Sequence, residues 1–231
     1  MSGQEIPITA TDGGKFMGYL AVPIGGNGPG VVVIQEIFGV NAVMRGITDS
    51  LAAEGYVALC PNLFWRQEAG VQLTDQTEDE WARAFDLFNG FDLDKGIDDL
   101  RPTIKTFCVL EECTGKIGAV GFCLGGRLAF LTATRTDADA SVSYYGVKLD
   151  EHKDETVNCP CLLHVATEDE FVPKEKQTEV HAALHGNPKV EFYYYEGQKH
   201  AFARAGGKHF DQDSADLARE RTLQFFKTYL I

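Results

Sequence analysis

A chain of 231 residues, 44% of them apolar, is long enough to bury a sizeable core as one large domain or two small ones. Its formal charge of −13, from 21 basic against 34 acidic residues, speaks against nucleic acid or an anionic membrane as partner, since both reward clustered cations. No apolar run approaches the roughly 18 residues of a membrane span, and the opening MSGQEIPITATDGG has neither the cationic flank nor the apolar centre of a leader, so a cytoplasmic protein is expected. An acidic surface can still hold a local cationic pocket, and a small anionic substrate is compatible with this composition.

Along the chain, short β-rich runs alternate with helical patterns. Strands are expected over residues 16–22, 31–34, 57–59, 117–120, 140–145, 162–166 and 190–195. Several are continuously apolar, as strands covered on both faces are. Met44, Ile47 and Leu51 recur at helical spacing after a cap at Asn41 and before Gly55. The stretch 61–75 is the least regular. Thr77 with Glu80 then fits a capping box, followed by the stripe Trp81, Phe85 and Phe88. Leu93, Ile97, Leu100 and Ile104 form another stripe, in which Pro102 is expected to kink or restart the helix. Further helices are expected over 124–133, over 174–184 with Pro173 in the first turn, and over 214–229. The alternation implies an α/β fold with a mostly parallel, doubly wound sheet and helices on both faces. With no repeat and no Pro-, Gly- or Ser-rich linker, it reads as a single domain over residues 1–231.

Six cysteines stand at 60, 108, 113, 123, 159 and 161, in spacings that do not match a zinc site. Five read as free thiols serving as small apolar residues. Cys123 differs, because Gly121-Phe122-Cys123-Leu124-Gly125-Gly126 follows the strand 117–120 and opens the helix 124–133. In a doubly wound sheet, ligands bind at the carboxyl ends of the strands. A strand-to-helix turn with glycines around a nucleophile pushes its side chain out, and the helix N-terminus favours thiolate and offers the Leu124 N–H to an oxyanion.

Such a nucleophile needs a base and an orienting acid, in the chain order nucleophile, acid, histidine. Asp169 follows the strand 162–166 and His200 follows the strand 190–195, so Cys123, Asp169 and His200 share the required order and sheet edge. Glu168 and Glu170 flank Asp169 and could serve in its place. His164 reads as a hydrogen-bonded core residue; His152, His181 and His185 read as surface residues. His209 with Asp211 and Asp213 is better read as a polar loop than as a metal site, and no metal is assigned. Gln35-Glu36-Ile37-Phe38-Gly39 follows the strand 31–34, where this kind of fold places a second oxyanion donor, here the Ile37 N–H. Glu36 is either part of the same site or a solvated loop carboxylate.

These segments resemble the dienelactone hydrolase family of the α/β-hydrolase fold. The matching stretches are Gln35-Glu36-Ile37-Phe38-Gly39-Val40-Asn41, Cys60-Pro61-Asn62-Leu63, Gly121 to Gly126 as quoted, Ser143-Tyr144-Tyr145-Gly146-Val147, Asp169-Glu170-Phe171-Val172-Pro173 and His200-Ala201-Phe202-Ala203-Arg204. The resemblance implies a Cys123–His200–Asp169 triad, an oxyanion hole from the N–H groups of Ile37 and Leu124, and Glu36 as the carboxylate whose movement activates the thiol. It also implies that Arg204 binds a substrate carboxylate and that Tyr144 and Phe38 line the pocket. Trp81 stands where well-known members carry a second arginine, and Phe85 where they carry a tyrosine. The implied activity is opening of an enol-lactone through an acyl-enzyme, with no cofactor, no nucleic-acid or membrane partner, and a monomeric chain. A carboxylesterase or thioesterase for a more apolar ester, and a non-catalytic binding or redox-sensing protein, are the alternatives.

Overall fold

A computed structural model describes residues 3–231. Residues 1 and 2, the head of the stretch read as lacking a leader, lie outside the described residues. Two compact units are formed, one reaching to Ala119 and one running from Val120 to Ile231, with strand β5 (Cys113–Phe122) contributing to both.

In the first unit the strand order is β1 (Gln4–Thr9), β2 (Lys15–Ala21), β4 (Val57–Pro61), β3 (Gly28–Ile34), β5. β1 and β2 form an antiparallel hairpin that pairs Ile8 with Phe16, β2 runs antiparallel to β4, and β3 lies parallel to β4. β1 is absent from the expected strands. As an edge strand it buries only Ile8 well, and it tolerates Pro7, which a central strand would not. Helix α1 (Ala42–Ala53) starts where the Asn41 side chain accepts the Met44 N–H at 3.1 Å. Thr77 caps α2 (Glu78–Asn89), its oxygen accepting the Glu80 N–H while its hydroxyl donates to the Glu80 carboxylate.

Helix α3 (Leu93–Phe107) corrects one part of an expectation: it does not restart at Pro102 but continues through it. Proline costs a helix the bond to the carbonyl four residues earlier. Here that residue is Asp98, on the exposed side of the helix, so its carbonyl is not stranded in the core. The opposite side of α3 buries Ile97, Leu100, Ile104 and Phe107, with the Phe107 ring filling the space a Cβ at Gly30 would need. Asp99, also buried, accepts from Trp65 Nε1 at 2.8 Å and from Arg66 Nε and Nη2 at 2.9 and 2.7 Å. The irregular stretch 61–75, of which Pro61 ends β4, is thereby tied down with no further helix or strand. Among the described residues, no helix is long and apolar enough to cross a membrane.

In the second unit β5 is followed across the sheet by the strands β6 (Ala140–Tyr144), β7 (Cys161–Ala166) and β8 (Val190–Tyr195), the last three in parallel register. Leu163 faces Phe130 of α4 (Leu124–Arg135) and Val180 and Leu184 of α5 (Lys174–Leu184). The next residue, His164, points to the other face by strand alternation and meets Thr222 of α6 (Gln212–Leu230). Helices thus cover both faces of this sheet.

His164 is the hydrogen-bonded core histidine expected. Its Nδ1 lies 2.7 Å from the Tyr195 hydroxyl, its Nε2 3.0 Å from Thr222 Oγ1, and the Tyr144 hydroxyl 2.6 Å from that same oxygen. Burial, with the Arg221 charge nearby, pushes the His164 pKa down to about 3. The unfolded chain takes up this proton near pH 6.5, so stability falls as the pH drops from about 6.5 towards 3. Between pH 6.5 and 5, unfolding monitored by urea titration should show stability falling by up to ~1.4 kcal/mol per pH unit from this group. His164→Gln, although less stable throughout, should lose that part of the slope.

Candidate active site

The Cys123 turn is built by close backbone approach. Cys123 has φ 57° and ψ −113°, a conformation that side-chain-bearing residues rarely adopt. The turn folds so tightly that a Cβ on Gly121 would lie 1.9 Å from the Gly125 carbonyl oxygen. One on Gly126 would lie 2.6 Å from the Tyr144 carbonyl oxygen. The strain is held by main-chain bonds: Cys123 N–H donates to Tyr144 O at 3.1 Å, and Cys123 O accepts from Arg127 N–H at 3.1 Å. Leu124 is the first residue of α4, where a helix N–H has no partner within its own helix.

The acid and the histidine leave adjacent strands. β7 and β8 end in register at Ala166 and Tyr195, so the segments 167–171 and 196–200 emerge side by side. They are then laced together. Thr167 N–H donates to Tyr195 O at 3.2 Å, Gly197 N–H to Thr167 Oγ1 at 2.9 Å, and Glu168 N–H to Gln198 O at 2.8 Å. Asp169 follows, its Oδ2 2.8 Å from His200 Nδ1 and its Oδ1 accepting the Phe171 N–H at 2.8 Å. Asp169 is the member of the acidic trio that meets the imidazole; Glu168 turns outward to Lys174 at 2.7 Å. The His200 ring is held edgewise by Phe171, with centroids 4.8 Å apart, and by Tyr145, at 5.1 Å.

Cys123, Asp169 and His200 are each less than 8% exposed. Among the described residues, His200 Nε2 has no hydrogen bond of good geometry, while the Cys123 sulfur lies close enough to act on the ring's protonation. Burial works against a charge on this ring. The Cys123 sulfur and the Asp169 carboxylate outweigh it and push the His200 pKa up to about 10. A proton leaving the sulfur therefore has a place to go.

The remaining candidates divide between the units. In the second, Arg204 is buried, and the Tyr144 hydroxyl shares a hydrogen bond with Thr222 Oγ1 within the core. In the first, Glu36, Ile37 and Phe38 are all buried just past β3, where Gln35 bridges from the Leu63 N–H to the Glu36 carbonyl. Trp81 packs edge-on against Phe38 at 5.0 Å and stacks on Phe85 at 5.6 Å, and its Nε1 donates to Asp75 O at 3.0 Å. Arg83 turns away to Glu68.

Other expectations shift. His152 is no plain surface residue, since it sits between Arg127 and Glu155 and burial pulls its pKa down. Cys108, expected to serve as an apolar residue, is exposed at the end of α3. His209 lies beside His200 and Glu170, a placement with no signal in local sequence.

The family model for the dienelactone hydrolase family matches residues 16–230. A relative from Azospirillum brasilense, whose name marks its carboxymethylenebutenolidase assignment as provisional, is 51% identical, covering 98% of this chain and 99% of its own. A carboxymethylenebutenolidase of Pseudomonas putida is 37% identical over 97% of this chain and 96% of its own. A solved structure from Klebsiella pneumoniae, provisionally named a dienelactone hydrolase, superposes with a TM-score of 0.86 at 26% identity, covering 98% of both chains. With its mostly parallel sheet, its helices and these relatives, the chain has the α/β-hydrolase fold and belongs to the dienelactone hydrolase family.

Proposed function

We propose that this chain is a cysteine-dependent hydrolase that opens an enol-lactone of the carboxymethylenebutenolidase type. The observation that carries the reading is the buried carboxylate–imidazole pair, Asp169 Oδ2 to His200 Nδ1 at 2.8 Å, acting on the sulfur of a strained strand-to-helix turn.

The thiol proton passes to His200, and the Cys123 sulfur attacks the lactone carbonyl. The Leu124 N–H donates to the oxygen that becomes negative. Collapse of the adduct breaks the ring C–O bond, leaving a thioester on Cys123 and an enolate that takes the proton held by His200 to become the keto product, which returns the imidazole to its neutral form. His200 then removes a proton from water, the hydroxide adds to the thioester, and the sulfur leaves and regains its proton. Asp169 holds the imidazole in the tautomer whose Nε2 faces the chemistry. An enolate leaves readily, so a thiolate nucleophile suffices; an amide would require stronger protonation of its leaving group.

A second reading, a carboxylesterase or thioesterase for a more apolar ester, is favoured by the stacked pair Trp81 and Phe85, which stand where an arginine and a tyrosine occur in well-known family members, with Phe38 edge-on against Trp81. Steady-state kinetics on an enol-lactone and on a simple aryl ester separate the two. The lactone should give the higher kcat/KM, and the reverse order would favour the second reading.

Cys123→Ala should abolish lactone hydrolysis, and retention of full activity would refute the assignment. His200→Gln should lower kcat by about a hundredfold or more and slow alkylation of Cys123 by iodoacetamide at neutral pH. Mass spectrometry of quenched wild-type reactions should find the acyl group on Cys123 and on no other cysteine.

A further inference from the structure

We propose that Glu170 and His209 are positioning residues that hold the main chain of His200. The inference rests on the reading of His200 as the triad base. Neither main-chain polar group of His200 takes part in a backbone–backbone hydrogen bond among the described residues. Both are met by side chains: Glu170 Oε2 accepts the His200 N–H at 3.3 Å, and His209 Nδ1 lies 3.2 Å from the His200 carbonyl oxygen, to which it donates. The two side chains also face each other, with His209 Nδ1 3.4 Å from Glu170 Oε1. A closed ring results, running from Glu170 through the N–H and carbonyl of His200 to His209 and back.

The ring sits at a place that needs holding. Ala201, next in the chain, has φ 61°, a left-handed conformation that alanine adopts only under constraint. The segment then turns again through Arg204 N–H to Ala201 O at 3.0 Å, and reaches the residues before α6 through Asp211 N–H to Phe202 O at 2.9 Å. No strand or helix fixes residue 200. Asp169, Phe171 and Tyr145 set the tilt of the imidazole, but a ring is only as well placed as the Cα that carries it. Glu170 and His209 supply that anchor from two directions, one from the acid segment and one from the segment that leads into α6. Displacing a reacting group by about an ångström costs on the order of a hundredfold in rate, so an anchor that touches no substrate can still govern turnover.

Glu170→Ala and His209→Ala should each lower kcat by about tenfold or more, with KM within about twofold. The pH profile of Cys123 alkylation by iodoacetamide should shift as the imidazole loses its place beside the sulfur. Glu170→Gln keeps an acceptor for the His200 N–H and His209→Asn keeps a donor for its carbonyl, so both should recover most of the activity. Thermal unfolding is followed in parallel. If kcat falls only in step with the melting temperature and the alkylation profile stays in place, the residues are merely structural and the proposal is overturned. Full kcat in Glu170→Ala also overturns it. Should one alanine variant fail to fold, the other, with Glu170→Gln and His209→Asn, decides by the same measures. His200→Gln serves as the reference. If it retains activity and the wild-type alkylation profile, the triad reading itself has failed. If it is inactive while both alanine variants match wild type, only the positioning role has failed.

Discussion

Gly121 and Gly126 let two stretches of backbone approach more closely than any side chain allows, and the rest of the second unit is arranged around the turn this makes possible. The Cys123 sulfur can be presented from the end of β5 only because the chain turns there with φ 57° and starts a helix in the next residue. A conformation of this kind costs of order 1–3 kcal/mol and persists only where surrounding bonds over-determine it. Here they do: the end of β6 accepts the Cys123 N–H through Tyr144, and the first turn of α4 takes its carbonyl. The strain lies at the point where a sulfur at a strand end and a helix N–H without a partner in its own helix would be useful together.

The same unit holds two buried histidines whose pKa values move in opposite directions, and the contrast isolates what their surroundings do. His164 and His200 are equally well hidden, at 1% and 4% exposure. His164 is partnered by neutral hydroxyls of Tyr195 and Thr222, so burial prevails and the ring stays neutral. His200 is partnered by a carboxylate and a sulfur that can ionise, so its charged form is favoured in spite of burial. Desolvation is common to both; the charge on the neighbour decides the sign. One histidine is a core strut, and the other has the surroundings that the proposed proton transfer needs.

Much of this was legible in the sequence. Caps at Asn41 and Thr77, the stripe over α3, and the helix after Pro173 depend on neighbours within a turn or two along the chain, so local pattern revealed them. The placement of a carboxylate and an imidazole after neighbouring strands was legible too, because parallel strands deliver the residues after them to one sheet edge. β1 escaped notice because an edge strand with one well-buried residue carries almost no periodic signal. Pro102 misled because proline's cost depends on whether the orphaned carbonyl meets protein or water, and sequence does not say which.

By itself, then, the sequence determined which residues could turn sharply, where helices begin, and that a thiol, a carboxylate and an imidazole each follow a strand. The tertiary structure alone decided that Asp169, not Glu168 or Glu170, reaches the imidazole, that Glu170 instead takes the His200 N–H, and that His209 closes on the other side. Those choices follow from the shared register at which β7 and β8 end and from where the chain returns before α6. They are relations between segments remote in the chain, set by how layers pack rather than by any local run of residues.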